Sequence, residues 1–146
     1  MDIAEMTVDD YEDAFSLWQR CEGIGLSDAD EFEPLSRFLE MNRGLCFTAR
    51  MDGELVGTCL CGSDGRRGYL YHLAVDPQVR RQGIGKALVE KTLQALLERG
   101  IHKCHIMVYS QNTLGLAFWK QTGWVLRPEI TLMSYSLSTE QKGCPC

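Results

Sequence analysis

The order of apolar and polar positions divides this 146-residue chain into short strands and amphipathic helices. Met1 to Met6 reads as a first strand. Thr7, with Asp10 three residues on, predicts a capped helix start; Tyr11, Ala14, Phe15, Leu17 and Trp18 then recur at helical spacing until Cys21 and Gly23. Gly23 to Pro34 predicts a loop, and Leu35, Phe38, Leu39 and Met41 a second helix ending near Arg43-Gly44. Leu45 to Met51 and Glu54 to Cys61 flank Asp52-Gly53. That pair suits a type I′ turn, in which both central residues take positive φ. A second break, Asp64 to Gly68, leads into Tyr69 to Val75, so three strands in succession predict an antiparallel meander.

The pattern turns helical again from Gly83 to Arg99. Lys86, Glu90, Gln94 and Glu98 share one face, Ile84, Leu88, Val89, Leu93, Leu96 and Leu97 cover much of the remainder, and Gly100 stops the run. Lys103 to Val108 follows a strand and a helix, so a right-handed crossover should lay it parallel to Tyr69 to Val75. Thr113 to Thr122 predicts a short helix closed by Gly123. Trp124 to Arg127 and Glu129 to Leu137 predict two last strands around Pro128. The expected fold is α/β of the α+β kind: a mixed, mostly antiparallel sheet of about seven strands with helices on both sides. It forms one domain over residues 1–137, with 138–146 as a tail.

Composition narrows the function. With 45% hydrophobic and 24% charged residues the chain is ordinary globular material for one core. A net charge of −5 argues against nucleic acid as the main partner. The apolar stretches are strand-sized, and Asp2 and Glu5 stand where an export signal carries positive charge, so neither a membrane span nor a leader is expected and a cytoplasmic location is. The seven scattered cysteines suit a reducing compartment, with Cys144 and Cys146 at the tail. Cys59-Leu60-Cys61 lacks the further ligands a tetrahedral metal site needs, and no metal is expected.

The stretch with most chemical content is Val79 to Ala87, Val-Arg-Arg-Gln-Gly-Ile-Gly-Lys-Ala, at the opening of the third helix. A helix start leaves N–H groups unpaired at the positive end of the dipole, where a phosphate can sit. Gly83 and Gly85 strip away side chains that would keep a ligand off those amides. Arg80, Arg81 and Lys86 add positive charge at the same place. A basic strand-to-helix turn that merely needs glycine is the plainer reading of the same residues.

This stretch resembles the acyl-CoA pyrophosphate loop of the GNAT superfamily, the GCN5-related N-acetyltransferases, with Arg80, Gly83 and Gly85 meeting the pattern Q/R-x-x-G-x-G/A. Leu73 to Pro77 is similar to the preceding strand and its exit. Asn112, Phe118-Trp119 and Gly123-Trp124 are similar to a later block of that family. The resemblance implies that the two parallel strands splay apart, so that backbone groups of Leu73, Ala74 and Val75 receive the pantetheine arm of acetyl-CoA. The Val75 N–H would face the thioester oxygen. Arg80, Arg81, Gln82, Gly83, Ile84, Gly85 and Lys86 would hold the diphosphate, Asn112 would either bond the arm or cap its own helix, and Trp119 would wall the thiol end.

Transfer to an amine needs a base, since an amine of pKa ~10.4 is almost wholly charged at neutral pH. The residues that usually serve in relatives are missing: the tyrosine position is Trp119, and the two alternative glutamate positions fall at Met107 and near Tyr69. His72 is the substitute with suitable chemistry; Tyr109, Tyr135 and Tyr71 are further candidates for acid or pocket roles. Asp28, Asp30, Glu31 and Glu33 lie in the loop that covers the acceptor in the family, as attractors for a cationic amine or as a solvated acidic loop. The implied activity is acetyl transfer by direct attack of a small-molecule or peptide primary amine, by a monomer or homodimer. A non-catalytic acyl-CoA-binding module is the alternative. A dinucleotide or Walker-type site is disfavoured, because Leu88 stands where the former wants glycine and no Walker motif occurs.

Overall fold

A computed structural model describes residues 1–138; Cys144, Cys146 and most of the expected tail lie outside the described residues. Thr7 caps a short 3-10 turn as expected, its side chain taking the Asp9 N–H while Asp10 bonds back to the Thr7 N–H. The strands are β1 (Asp2–Glu5), β2 (Phe47–Met51), β3 (Glu54–Ser63), β4 (Gly68–Val75) and β5 (Cys104–Ile106). The helices are α1 (Tyr11–Arg20), α2 (Phe32–Met41), α3 (Ile84–Glu98) and α4 (Thr113–Gln121). The sheet order is β1-β2-β3-β4-β5, antiparallel except for the β4–β5 pair. Asp52 and Gly53, at φ 51° and 81°, close the predicted hairpin.

The fold is the expected mixed α/β class with helices on both faces. One core layer joins α3 to the sheet through Leu88, Val89, Leu96, Val56, Cys59 and Leu70. The other joins α1 and α2 to the opposite face through Leu17, Trp18, Leu35, Leu39, Leu60 and Ala74. The close seat of α3 depends on missing side chains: a Cβ at Gly57 would come within 2.9 Å of Leu88 Cδ1, and one at Gly68 within 2.5 Å of Leu96 Cδ1.

The strand count is corrected from about seven to five among the described residues. Trp124 to Arg127 and Glu129 to Leu137 do not enter the sheet. Their period is that of strands, but the turn at Pro128 leads into chain with no ladder partner, and alternation alone does not make a strand without an edge to bond. Helix α2 also begins earlier than predicted, at Phe32, since Pro34 falls in its first turn, where a missing N–H costs nothing.

Candidate functional site

Between β4 and β5 the sheet opens. The parallel ladder joins Gly68, Leu70 and the tyrosine between them to Cys104, Ile106 and His105, and ends there, while β4 runs on to Val75 paired only with β3. The Asp76 N–H donates to Val56 C=O at 2.8 Å. Strand alternation therefore turns the Ala74 backbone groups towards β3 and those of Leu73 and Val75 towards the opened side. The Val75 carbonyl receives Arg80 Nε at 3.1 Å. An extended ligand can thus add to this edge as a strand would, through Leu73 and the Val75 N–H.

The edge leads into the glycine-bearing turn. Asp76 caps a 3-10 turn at Pro77–Val79 by accepting the Gln78 N–H at 2.9 Å, and its carboxylate is held below the usual range by that N–H and by Arg20, 3.0 Å away. Arg81 (φ 63°) and Gly83 (φ 82°) are both left-handed, a conformation that gathers successive N–H groups into an anion-binding hollow. Gly83 stands at the N-cap with no side-chain cap and no acidic residue in the first turn. The helix opening thus keeps its dipole and donors for an outside anion. Arg80, Arg81, Gln82 and Lys86 are exposed around it. Ile84 is buried and can offer only its amide. Gly85 is not sterically obligatory: a Cβ there would meet Val75 Cγ2 at 3.5 Å and the Phe118 ring at 3.6 Å, ordinary contacts.

On the other face of β4 stands the candidate base of the sequence, in a setting that no local pattern announced. Between Thr58/Ala74 and Leu60/Tyr71 the β3–β4 register shifts, with an extra residue on β4. His72 takes up the bulge at φ 46°. Leu70 belongs to the α3-side core and Tyr71 packs on the α1/α2 side; His72, instead of alternating back, also faces α1, its ring 4.7 Å from Trp18. Its Nε2 lies 2.6 Å from Asp30 Oδ1. Asp30 is 6% exposed, and its other oxygen accepts the Ser27 N–H at 2.9 Å in a second capping box. The bulge is secured from below: Trp18 Nε1 donates to Thr58 Oγ1 (2.9 Å), which donates to the His72 carbonyl (2.8 Å).

Thr58→Val would leave the Trp18 N–H and the His72 C=O without partners in a fully buried place. An expected cost of about 2–4 kcal/mol follows from the unmade bonds, and a thermal melt should fall by roughly 2–4 °C for each of those kcal/mol. An unchanged melting temperature would show that the bulge is held by something else.

The acidic loop is therefore not one feature. Asp30 is built into the core beside His72, while Asp28, Glu31 and Glu33 are exposed. Tyr11, Phe15, Leu26 and Phe32 line an open groove of about 470 Å³ with Ser27, Asp28 and Glu31 at its rim. The Tyr11 hydroxyl, which donates to Asp30 C=O at 2.8 Å, has its pKa raised by burial and then by the carboxylates of Asp30 and Glu31.

The remaining candidates fall elsewhere. Asn112 caps α4, its Oδ1 accepting the Gly115 N–H at 3.0 Å. Trp119 is 7% exposed in the core against Phe118 and Trp124, so the ring beside the glycine turn is its neighbour Phe118. Tyr109 is 44% exposed in the chain after β5, and Tyr135 is 90% exposed near the C-terminal end of the described chain. Burial pushes the thiols of Cys46 and Cys59 up to about 12, as expected of inert core cysteines. Among the described residues, no cluster of His, Cys, Asp and Glu is arranged to hold a metal ion.

Residues 9–124 match the model of the acetyltransferase (GNAT) family. The chain is 30% identical over 142 residues to the acetyltransferase SG1711 of Sodalis glossinidius, covering 97% of this chain and 99% of that one. It is 33% identical over 132 residues to the acetyltransferase ECA0875 of Pectobacterium atrosepticum, covering 90% and 93%. In fold it is similar to the PaiA N-acetyltransferase of Thermoplasma acidophilum, solved in complex with coenzyme A, with a TM-score of 0.75, 21% identity and 84% and 87% of the two chains covered.

Proposed function

The chain belongs to the acetyltransferase (GNAT) family and uses acetyl-CoA as the acetyl donor to an amine, and we propose that it does so by direct transfer to a primary amine with His72 as the base. The observation that carries this reading is the meeting of two features on one strand. Just past the end of its ladder with β5, β4 bears an imidazole on one face, and it goes on to an open backbone edge that feeds the α3 turn.

The fit of acetyl-CoA is supported by the uncapped first turn of α3, the left-handed Arg81 and Gly83, and the unladdered edge of β4. The N–H groups of Gly83, Ile84, Gly85 and Lys86, with the side chains of Arg80, Arg81 and Gln82, would hold the diphosphate. Leu73 would bond the pantetheine arm, and Phe118 rather than Trp119 would lie beside the cofactor. Acetyl-CoA supplies an activated acyl carbon: the amine nitrogen bonds to it, the C–S bond breaks, and the sulfur leaves as a thiolate. The Val75 N–H would stabilise the carbonyl oxygen as it gains charge.

His72 would take the amine proton, directly or through a water, and Asp30 would fix the ring. Tyr109, on the β5 side of the opening, is the candidate to protonate the thiolate. Tyr135 is too exposed in a single chain for either role. Asn112 keeps its capping role. A pure acyl-CoA-binding module would have no use for a buried carboxylate–imidazole pair on a strained residue, which is why transfer is preferred.

The test is release of free thiol from acetyl-CoA in the presence of a panel of amines; coenzyme A binding without turnover of any amine would favour the binding module. The aromatic groove with its acidic rim suits a cationic acceptor. Neutralising Asp28, Glu31 and Glu33 together, with Asp30 left intact, should raise acceptor KM about 5- to 20-fold with little change in kcat, at ~1 kcal/mol or more for the lost attraction. An unchanged KM removes the groove from the acceptor site. Among the described residues no helix is long and apolar enough to cross a membrane, and a cytoplasmic setting accords with the unpaired cysteines.

A further inference from the structure

The last turn of α1 reaches the part of β4 that leads into the glycine turn. Arg20 ends the helix, and its guanidinium is held on two sides: Nη1 donates to Ser16 Oγ at 3.0 Å on the same helix, and Nη2 to Asp76 Oδ2 at 3.0 Å at the strand exit. The guanidinium is planar, so fixing one nitrogen to α1 aims the other. The next residue, Cys21, is 8% exposed and donates its thiol to the Val75 carbonyl at 3.6 Å. Burial raises the pKa of that thiol, so it keeps the proton it donates at neutral pH. Asp76 is tied further: its N–H donates to the Val56 carbonyl at 2.8 Å, and its Oδ1 accepts the Gln78 N–H at 2.9 Å. Trp18, on the same helix turn, holds the His72 carbonyl through Thr58. One turn of α1 therefore braces β4 both at His72 and at its exit.

We propose that Arg20 is a positioning residue for the acetyl donor: through Asp76 it fixes the exit of β4 against α1, and so sets the Val75 N–H and the glycine turn at the spacing that acetyl-CoA requires. The inference rests on the reading that this edge and this turn receive acetyl-CoA. Pantetheine and diphosphate belong to one ligand, so the edge and the turn that hold them must keep a matching separation, and the chain between them starts at Asp76. The side chains of the pair are 47% and 19% exposed, and an ion pair in that setting adds little to fold stability. Its task follows from its place instead, because a displacement on the order of 1 Å between reacting groups can cost about 10²-fold in rate.

Charge gives the test its sign. Were Arg20 only an attractor for an anionic donor, Arg20→Met would weaken binding, whereas Asp76→Asn, which removes a negative charge and keeps an oxygen for the Gln78 N–H, would tighten it. As a brace, the two substitutions break one contact. Isothermal titration with acetyl-CoA should show both weakened by about three- to tenfold, and the double variant no weaker than the worse single one. Arg20→Lys, which keeps the charge without the planar fork, should recover part of the loss. Thermal melts should fall by roughly 4 °C or less, and titration well below them separates positioning from a merely structural role. Failure of acetyl-CoA to bind the wild type would remove the donor reading itself. With wild-type binding intact, this inference alone is overturned if Asp76→Asn binds as tightly or more tightly, if the two losses add, or if the melts fall while the affinities stay.

Discussion

Gly83→Glu should lower the affinity for acetyl-CoA by at least a hundredfold, about 3 kcal/mol or more. Two effects act together. The φ of 82° at this N-cap suits only glycine well, and any other residue there is strained by roughly 1–2 kcal/mol. A carboxylate at the positive end of α3 would also compete with, and repel, the diphosphate for the same donors. No heavy atom outside its chain neighbours lies within 4 Å of a Cβ at this position, so the substitution should leave the fold intact while emptying the site. Isothermal titration with coenzyme A, beside a thermal melt, separates these outcomes. Gly83→Ala isolates the backbone effect and should cost about tenfold or less. Equal binding by the wild type and the glutamate variant would mean that the diphosphate is held elsewhere.

His72→Ala should lower kcat by about 10²–10⁴-fold, the range expected when a positioned base is lost. The acidic limb of the pH–rate profile should go with it, and binding of acetyl-CoA should change little. The sign follows from the chemistry: the imidazole must be neutral to accept a proton, so activity carried by it falls as pH drops. Asp30→Asn keeps the packing but replaces a carboxylate by an amide beside the ring. It should depress kcat less than His72→Ala, because the ring loses the carboxylate that holds its orientation. His72→Ala turnover equal to wild type, with the same profile, would leave His72 as a strained structural residue. Because the bulge also rests on Thr58 and Trp18, a melting curve must accompany the kinetics.

The glycine turn, the Asp52-Gly53 hairpin, the meander and the parallel crossover were legible in the sequence because each depends on a few adjacent residues or on chain handedness. The Thr7 capping box was legible for the same reason. One reading failed for want of a partner. The strand pattern of Trp124 to Leu137 is real, but a strand is defined by the edge it bonds, and in a single chain that edge is not reached. Trp119 has the position expected of a cofactor wall, yet the short α4 turns it into the core and sets Phe118 by the turn. A helix rotates by about 100° per residue, so adjacent residues look in different directions.

By itself the sequence determined where the chain turns, which helix opening carries two glycines among basic residues, and which family chemistry follows. These are properties of contiguous residues, and they survive without knowledge of the rest. Only the tertiary structure decided where His72 stands. The bulge that carries it to the α1 face arises from pairing β4 with β3 and from the buried Trp18–Thr58 bonds, and its partner Asp30 lies 42 positions away in sequence. A strand's alternation assigns faces only while its register holds, and register is a property of two strands together.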